Sequence, residues 1–171
     1  MSREILILRH AKSAWDTGAA SDFDRPLAKR GRRDAPRVGR WLREQGLVPD
    51  HVVSSPAERA KQTVLAVCRE LGFDAGLIHW DERIYGGWAG SLLEVLRETP
   101  REAQRVLIAG HNPGLEDLVK SLAGGAIDTP ADGKLMPTAA VARLEIEAGW
   151  SELEPAVGRL LSLTRARALE S

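Results

Sequence analysis

Ile5-Leu6-Ile7-Leu8 stands as an unbroken aliphatic run between Arg3-Glu4 and Arg9-His10. An alternating strand leaves one face to water, whereas a continuous run of strand length marks a strand covered on both faces by helices. Arg105-Val106-Leu107-Ile108-Ala109 repeats this pattern, and His51-Val52-Val53-Ser54 and Leu77-Ile78-His79-Trp80 are shorter versions of it. Residues 139–146 alternate well enough for a further strand, and residues 158–163 read as the last.

Between the strands the apolar positions recur at helical spacing. Ala35, Val38, Trp41 and Leu42 do so between residues 28 and 45, with Gly46 as the stop; Pro36 there fits only a first turn or a kink. Ser55 as cap and Pro56 as first residue open a helix whose buried face is Ala57, Ala60, Val64, Val67 and Leu71, ending at Gly72. Ser91 with Glu94 predicts a capping box before a helix over 92–97. Asn112 caps a helix that begins at Pro113, buries Leu115, Leu118, Val119 and Leu122, and stops at Gly124.

Alternating strands and helices predict a three-layer α/β/α sandwich around a mainly parallel sheet, and such sheets bind ligands beyond the carboxyl ends of their strands. His10, Arg59 and His111 each follow a predicted strand at that end. The length, 171 residues, suits one domain over 1–171 and one site. Residues 11–26, with Gly18, Ser21, Asp16, Asp22, Asp24 and Pro26, read as an ordered loop able to fold over the end of the first strand. How that loop and the one over 124–137 lie decides the lining of a pocket.

Charge narrows the ligand. The 24 basic and 24 acidic side chains cancel, so no global field favours nucleic acid or a membrane, and any affinity for an anion is local. The single cysteine, Cys68, cannot form an internal disulfide, and the four histidines show no metal-ligand spacing. No metal or cofactor is expected. The first apolar run is too short for a signal peptide or a membrane span, so the expected compartment is the cytoplasm; a monomer is the expected state.

The local chemistry points to phosphate. Arg9 and Arg59 supply guanidinium forks that stay charged and match phosphoryl oxygens. Helix starts after Ser55 and Asn112 add free N–H groups and the positive end of a helix dipole. A histidine attacks phosphorus when one ring nitrogen is neutral and the other donates its N–H to a fixed acceptor such as a backbone carbonyl. His10 has the position for this. His111 would help hold the equatorial oxygens as charge shifts, a role in which one donor is worth roughly 3 to 4 kcal/mol.

Arg9-His10 on the first strand, Ser54-Ser55-Pro56 with Arg59-Ala60 and Gln62-Thr63, and Gly110-His111-Asn112-Pro113 resemble the three signatures of the histidine phosphatase superfamily. Arg9-His10-Ala11-Lys12-Ser13 and Arg25-Pro26-Leu27 before Gly31 look like its small SixA-type phosphohistidine phosphatases. The resemblance implies a phosphoglycerate mutase-like fold, no cofactor, a catalytic set of Arg9, His10, Arg59 and His111, and a phosphohistidine protein or a small phosphate ester as substrate. Asn112 and Lys12 extend the implied substrate-binding set. Lys12 and Ser13 stand where mutase-like members often carry Gly-Glu or Gly-Gln. Glu82, in Glu82-Arg83-Ile84-Tyr85-Gly86, is the candidate general acid by likeness to mutase-like members. Imidazole leaves without one, whereas an alkoxide needs a delivered proton.

Plainer roles stand beside these. Lys12, Asp16, Asp22 and Arg25 suit salt bridges that shape the first loop, and Trp15 suits packing beneath it or an aromatic rim. Glu82 suits surface charge. The arginines between Arg30 and Arg43 suit a solvated helix face or a dock for an acidic protein. His51 and His79 suit structural positions, and Cys68 the core. A metabolite phosphomonoesterase using Glu82 as acid, and a phosphate-binding module without catalysis, are the alternative functions.

Overall fold

A computed structural model describes residues 2–15, 17–125 and 127–169. The loop pairing expected of Asp16 lies outside them. Six strands form one sheet: β1 (Arg3–Arg9), β2 (His51–Ser54), β3 (His79–Trp80), β4 (Arg105–Gly110), β5 (Val141–Ile146) and β6 (Gly158–Thr164). Their order is β3-β2-β4-β1-β5-β6. β3, β2, β4 and β1 pair in parallel, and β5, antiparallel to both neighbours, is the one reversed strand. Helices α1 (Lys29–Glu44), α2 (Glu58–Leu71), α3 (Ala89–Arg97) and α4 (Gly114–Ala123) complete the predicted sandwich. Among the described residues no helix is long and apolar enough to cross a membrane.

The unbroken aliphatic run explains the layering. Ile5, Leu6, Ile7 and Leu8 are all fully buried, which stabilises the fold by about 2 kcal/mol for each side chain relative to exposure. Because neighbours on a strand point to opposite faces, Ile5 and Ile7 join Val106, Ile108, Leu92, Leu96, Leu115 and Leu118 on the α3–α4 side. Leu6 and Leu8 join Leu107, Ala109, Val38, Leu42, Val64 and Val67 on the α1–α2 side.

Several predicted boundaries shift. Pro36 lies in the interior of α1, not its first turn. The third strand is reduced to His79–Trp80, because Asp74 Oδ1 accepts the Gly76 N–H at 2.9 Å and winds Ala75–Leu77 into a 3-10 turn. α3 begins at Ala89 with Ser91 as its third residue. The Ser91 hydroxyl bonds the Trp88 N–H and carbonyl, both at 3.1 Å, and Glu94 is outside the cap. α2 starts at Glu58, two residues later than expected, because Ser55 Oγ accepts the Ala57 N–H at 3.2 Å and holds a turn there. Asn112 does not cap α4; its side chain turns to the carbonyl of Met136.

The first loop is pinned at its base by a bridge between Ser13 and Leu27 and by the Ala28 N–H, which donates to Lys12 O at 2.8 Å. α1 passes so close to this base that a Cβ on Gly31 would lie 2.2 Å from Lys12 O. Gly31→Ala is therefore expected to lower unfolding free energy by about 1–3 kcal/mol despite alanine's better helix propensity. Gly90→Ala on α3, where the nearest atom would be at 3.5 Å, is expected to leave stability unchanged or slightly raised; denaturant titration of the two variants checks both.

Candidate active site

β1, β4 and β2 are adjacent and parallel, with Arg9 opposite Gly110 and Ser54 opposite Ala109, so their carboxyl ends meet at one rim. His10 follows β1, His111 follows β4, and Arg59 is the second residue of α2, just beyond β2. The His10 and His111 ring centroids are 5.2 Å apart.

His10 Nδ1 lies 2.7 Å from the carbonyl oxygen of Ala11. A carbonyl only accepts, so Nδ1 carries the hydrogen and the lone pair of the neutral ring is on Nε2. Burial pushes the His10 pKa down to about 4, with Arg9, Arg59 and Arg25 adding to it and the Ala11 bond opposing. Backbone bonds hold the residue from both sides: His10 N–H donates to Gly110 O and Ala139 N–H donates to His10 O, each at 3.0 Å. The Ala11 N–H donates to Thr63 Oγ1 at 2.9 Å, and that hydroxyl donates to Arg59 O at 2.7 Å. Gln62 Oε1 accepts the Leu27 N–H at 2.8 Å. Gln62 and Thr63 thus clamp the first loop to the helix bearing Arg59.

His111 Nε2 is 2.7 Å from Ser55 Oγ. That hydroxyl also accepts the Ala57 N–H at 3.2 Å, and the other ring nitrogen, Nδ1, is buried and has no partner. Burial lowers the His111 pKa to about 3, assisted by His10, Arg59 and Arg9 and opposed by Asp22. Arg9 NH1 donates to Met136 O at 3.1 Å, as does Asn112 Nδ2 at 2.8 Å. Arg9 Nε, Arg59 Nε and Asn112 Oδ1 are also buried without partners. Buried donors are rarely left so, and the two guanidinium Nε–H groups among these atoms, at one rim, describe a place for an anion.

The loop supplies a carboxylate that the sequence reading assigned only to loop salt bridges. Arg59 donates to Asp22 through NH1 to the backbone oxygen at 2.8 Å and through NH2 to Oδ2 at 3.1 Å. The Tyr85 hydroxyl donates to the same Oδ2 at 2.8 Å, and Arg25 Nε to Oδ1 at 3.1 Å. Tyr85 foremost, with Arg25 and Arg59, holds the Asp22 carboxyl at about 2. The Tyr85 ring meets His111 edge-on at 5.6 Å. Tyr85 lies inside the segment Glu82-Arg83-Ile84-Tyr85-Gly86, and the available signal was its phenol, the chain's single tyrosine.

The cluster omits two predicted residues. Glu82 and Lys12 have exposed side chains with no hydrogen bond among the described residues. The reason for Glu82 is the 3-10 turn Glu82–Ile84, which buries Ile84 and sends Tyr85 to the site instead. The expected Arg25–Asp22 pair is present at 3.1 Å. Trp15 is 74% exposed, not packed under the loop, with the Arg25 guanidinium 3.7 Å above its ring. Cys68 is buried, as expected, and burial pushes its thiol up to about 12. The His51 and His79 rings pair with each other at 4.8 Å.

Residues 5–116 match the sequence profile of the histidine phosphatase superfamily (branch 1). An uncharacterized protein of Mycobacterium tuberculosis is 35% identical over 158 residues, covering 90% of this chain and 96% of its own. A SixA-type structure from Nakamurella multipartitia superposes with a TM-score of 0.81 at 28% identity, over 96% of each chain. The protein histidine phosphatase SixA complexed with tungstate gives 0.79 at 25% identity, over 98% of this chain and 99% of that one.

Both rings are expected to titrate far below the ordinary histidine value, near 4 for His10 and near 3 for His111. In the unfolded chain they take up protons near pH 6.5, so the unfolded state binds more protons between that pH and the folded values. Stability contributed by these rings then falls as pH drops from about 6.5 toward 4, by about 3 kcal/mol per ring. Ring NMR titration checks this; midpoints near 6.5 for both would mean that the rings are solvated.

Proposed function

The chain belongs to the histidine phosphatase superfamily, and from that membership we propose that it hydrolyses a phosphohistidine or phosphomonoester through a covalent phosphohistidine on His10. What supports this most is the His10 ring, kept neutral by burial and with its Nδ1 hydrogen committed to Ala11 O, so that Nε2 is an available nucleophile at neutral pH. Arg9 and Arg59, each with a buried Nε–H that lacks a partner, and His111, with a buried and unpartnered Nδ1, are the groups we assign to the phosphoryl oxygens. Asn112 we assign to support of the Met136 carbonyl, which it shares with Arg9.

In the first step the Nε2 lone pair forms a bond to phosphorus as the bond to the leaving group breaks, and the leaving atom takes a proton from solvent. In the second, water attacks the phosphohistidine and gives up a proton to solvent, the N–P bond breaks, Nε2 recovers its lone pair and inorganic phosphate departs. Neither step needs a metal in this scheme.

The leaving group is where phosphohistidine is favoured over an ester. Asp22, the carboxylate that Arg59 binds, is ionised at neutral pH and so is no proton donor. Glu82 is exposed and outside the cluster. A departing imidazole is protonated readily near neutrality, whereas an alkoxide depends on an acid delivered in the transition state. The SixA structure that binds tungstate, a tetrahedral oxyanion, is named a protein histidine phosphatase; we place this chain's substrate in the same class, phosphohistidine on a protein.

His10→Ala is expected to lower turnover of a phosphohistidine peptide by at least about 1,000-fold and to abolish acid-labile labelling by a radioactive phosphodonor. Labelling elsewhere, or unaltered turnover, ends the proposal. Glu82→Gln is expected to leave phosphohistidine turnover within about twofold. A drop of about tenfold or more on phosphomonoesters alone would instead support the metabolite esterase, and anion binding with no turnover of any substrate a binding module.

A further inference from the structure

Away from the imidazoles, a cleft of about 250 Å³ runs between α1 and the segment after β6. Arg30, Arg33 and Arg37 line one wall and Lys134, Arg165 and Arg167 the other, against two carboxylates, Asp34 and Asp132. In a chain whose charges cancel, this is a local surplus created by the fold.

The surplus is poorly neutralised. Asp34, nearly buried, faces Arg30, Arg33 and Arg37 at 3.7, 3.9 and 3.7 Å, all beyond hydrogen-bond reach. Asp132 is taken by Arg165 at 2.5 Å, with Arg167 at 3.8 Å. Arg37 Nε is buried without a partner. Elsewhere a single arginine, Arg83, holds two carboxylates at 2.6 and 2.7 Å.

The cleft adjoins the site through one stretch of backbone. Met136 O receives Arg9 and Asn112, and Ala139 N–H holds His10 O, while Pro137 and Thr138 between them line the cleft. Arg30 and Arg37 lie seven residues apart on one helix, a span of about 10 Å, with cations facing them across the gap. A compact anion such as phosphate meets two or three of these groups; an extended acidic segment reaches the exposed cations of both walls, Arg33 and Arg167 among them.

We propose that this cleft is a docking site for a run of carboxylate side chains in the phosphorylated protein substrate, so that recognition extends beyond the phosphoryl group. The inference rests on the phosphohistidine phosphatase reading above for the identity of the partner, not for the binding itself.

Peptides carrying one phosphohistidine, with four Glu or four Gln on either flank, distinguish the two. At low salt one Glu-flanked peptide is expected to show a KM about 5- to 20-fold below its Gln counterpart at similar kcat, and the advantage to vanish at high ionic strength. Arg33→Ala with Arg167→Ala, both at exposed side chains, should remove the preference while turnover of imidazole phosphate stays unchanged, which also shows that the variant is folded. Equal KM for Glu and Gln peptides on both flanks, or a preference that survives the double variant, overturns the proposal. If no phosphohistidine substrate turns over, the phosphatase reading fails, and fluorescence anisotropy with the unphosphorylated Glu peptide decides the cleft: binding lost in the double variant supports it, and no binding, or binding of an oligonucleotide in preference, overturns it.

Discussion

The bond from His10 Nδ1 to the Ala11 carbonyl decides which ring nitrogen is free, and most of the surrounding structure serves to hold that carbonyl still. Ala11 is fixed by Thr63, Thr63 by the first turn of α2, and His10 itself by backbone bonds to β4 and to the segment before β5. A free imidazole exchanges its two tautomers, whereas a buried one with a single available acceptor keeps one of them. The sheet contributes the anchoring: Ile5–Leu8 of β1 are fully buried on both faces, so the carboxyl end of the strand has little freedom to drift.

Electrostatic strain is concentrated at the same rim. Two histidines and two arginines share a small, largely buried space: burial lowers the proton affinity of Arg9, His10 and His111, and neighbouring cations add to it, Arg59 for all three. Asp22 offsets part of this charge from the loop, holding Arg59 by backbone and side chain while Tyr85 and Arg25 secure the carboxylate. Such an arrangement favours a doubly charged phosphoryl group, which relieves both the repulsion and the unpartnered N–H groups. The fold sacrifices some stability there to keep an anion site ready.

The basic cleft beside α1 shows a different use of charge. Its cations are spread along a helix and largely exposed, with nothing of the tight geometry around His10. Spread charge of this kind contributes orientation and encounter rate more than tight binding. The two regions share one backbone stretch, residues 136–139, and so are placed for a single large substrate.

The order of strands and helices, the two-faced burial of Ile5–Leu8, and the arrival of His10, Arg59 and His111 at strand ends were all determined by local sequence. Each depends on periodicity or on position relative to a strand, which neighbouring residues carry. The helix starts expected at Ser55 and Asn112 fall later for different reasons: Ser55 Oγ holds a turn through the Ala57 N–H while also meeting His111, and the Asn112 side chain turns to the distant carbonyl of Met136. Tyr85 in place of Glu82, Asp22 against Arg59, and the pairing of α1 with the segment after β6 were decided only by tertiary structure. These contacts join residues from 37 to more than 100 positions apart, and a side chain's orientation at such range is set by how the layers pack, which no local pattern encodes.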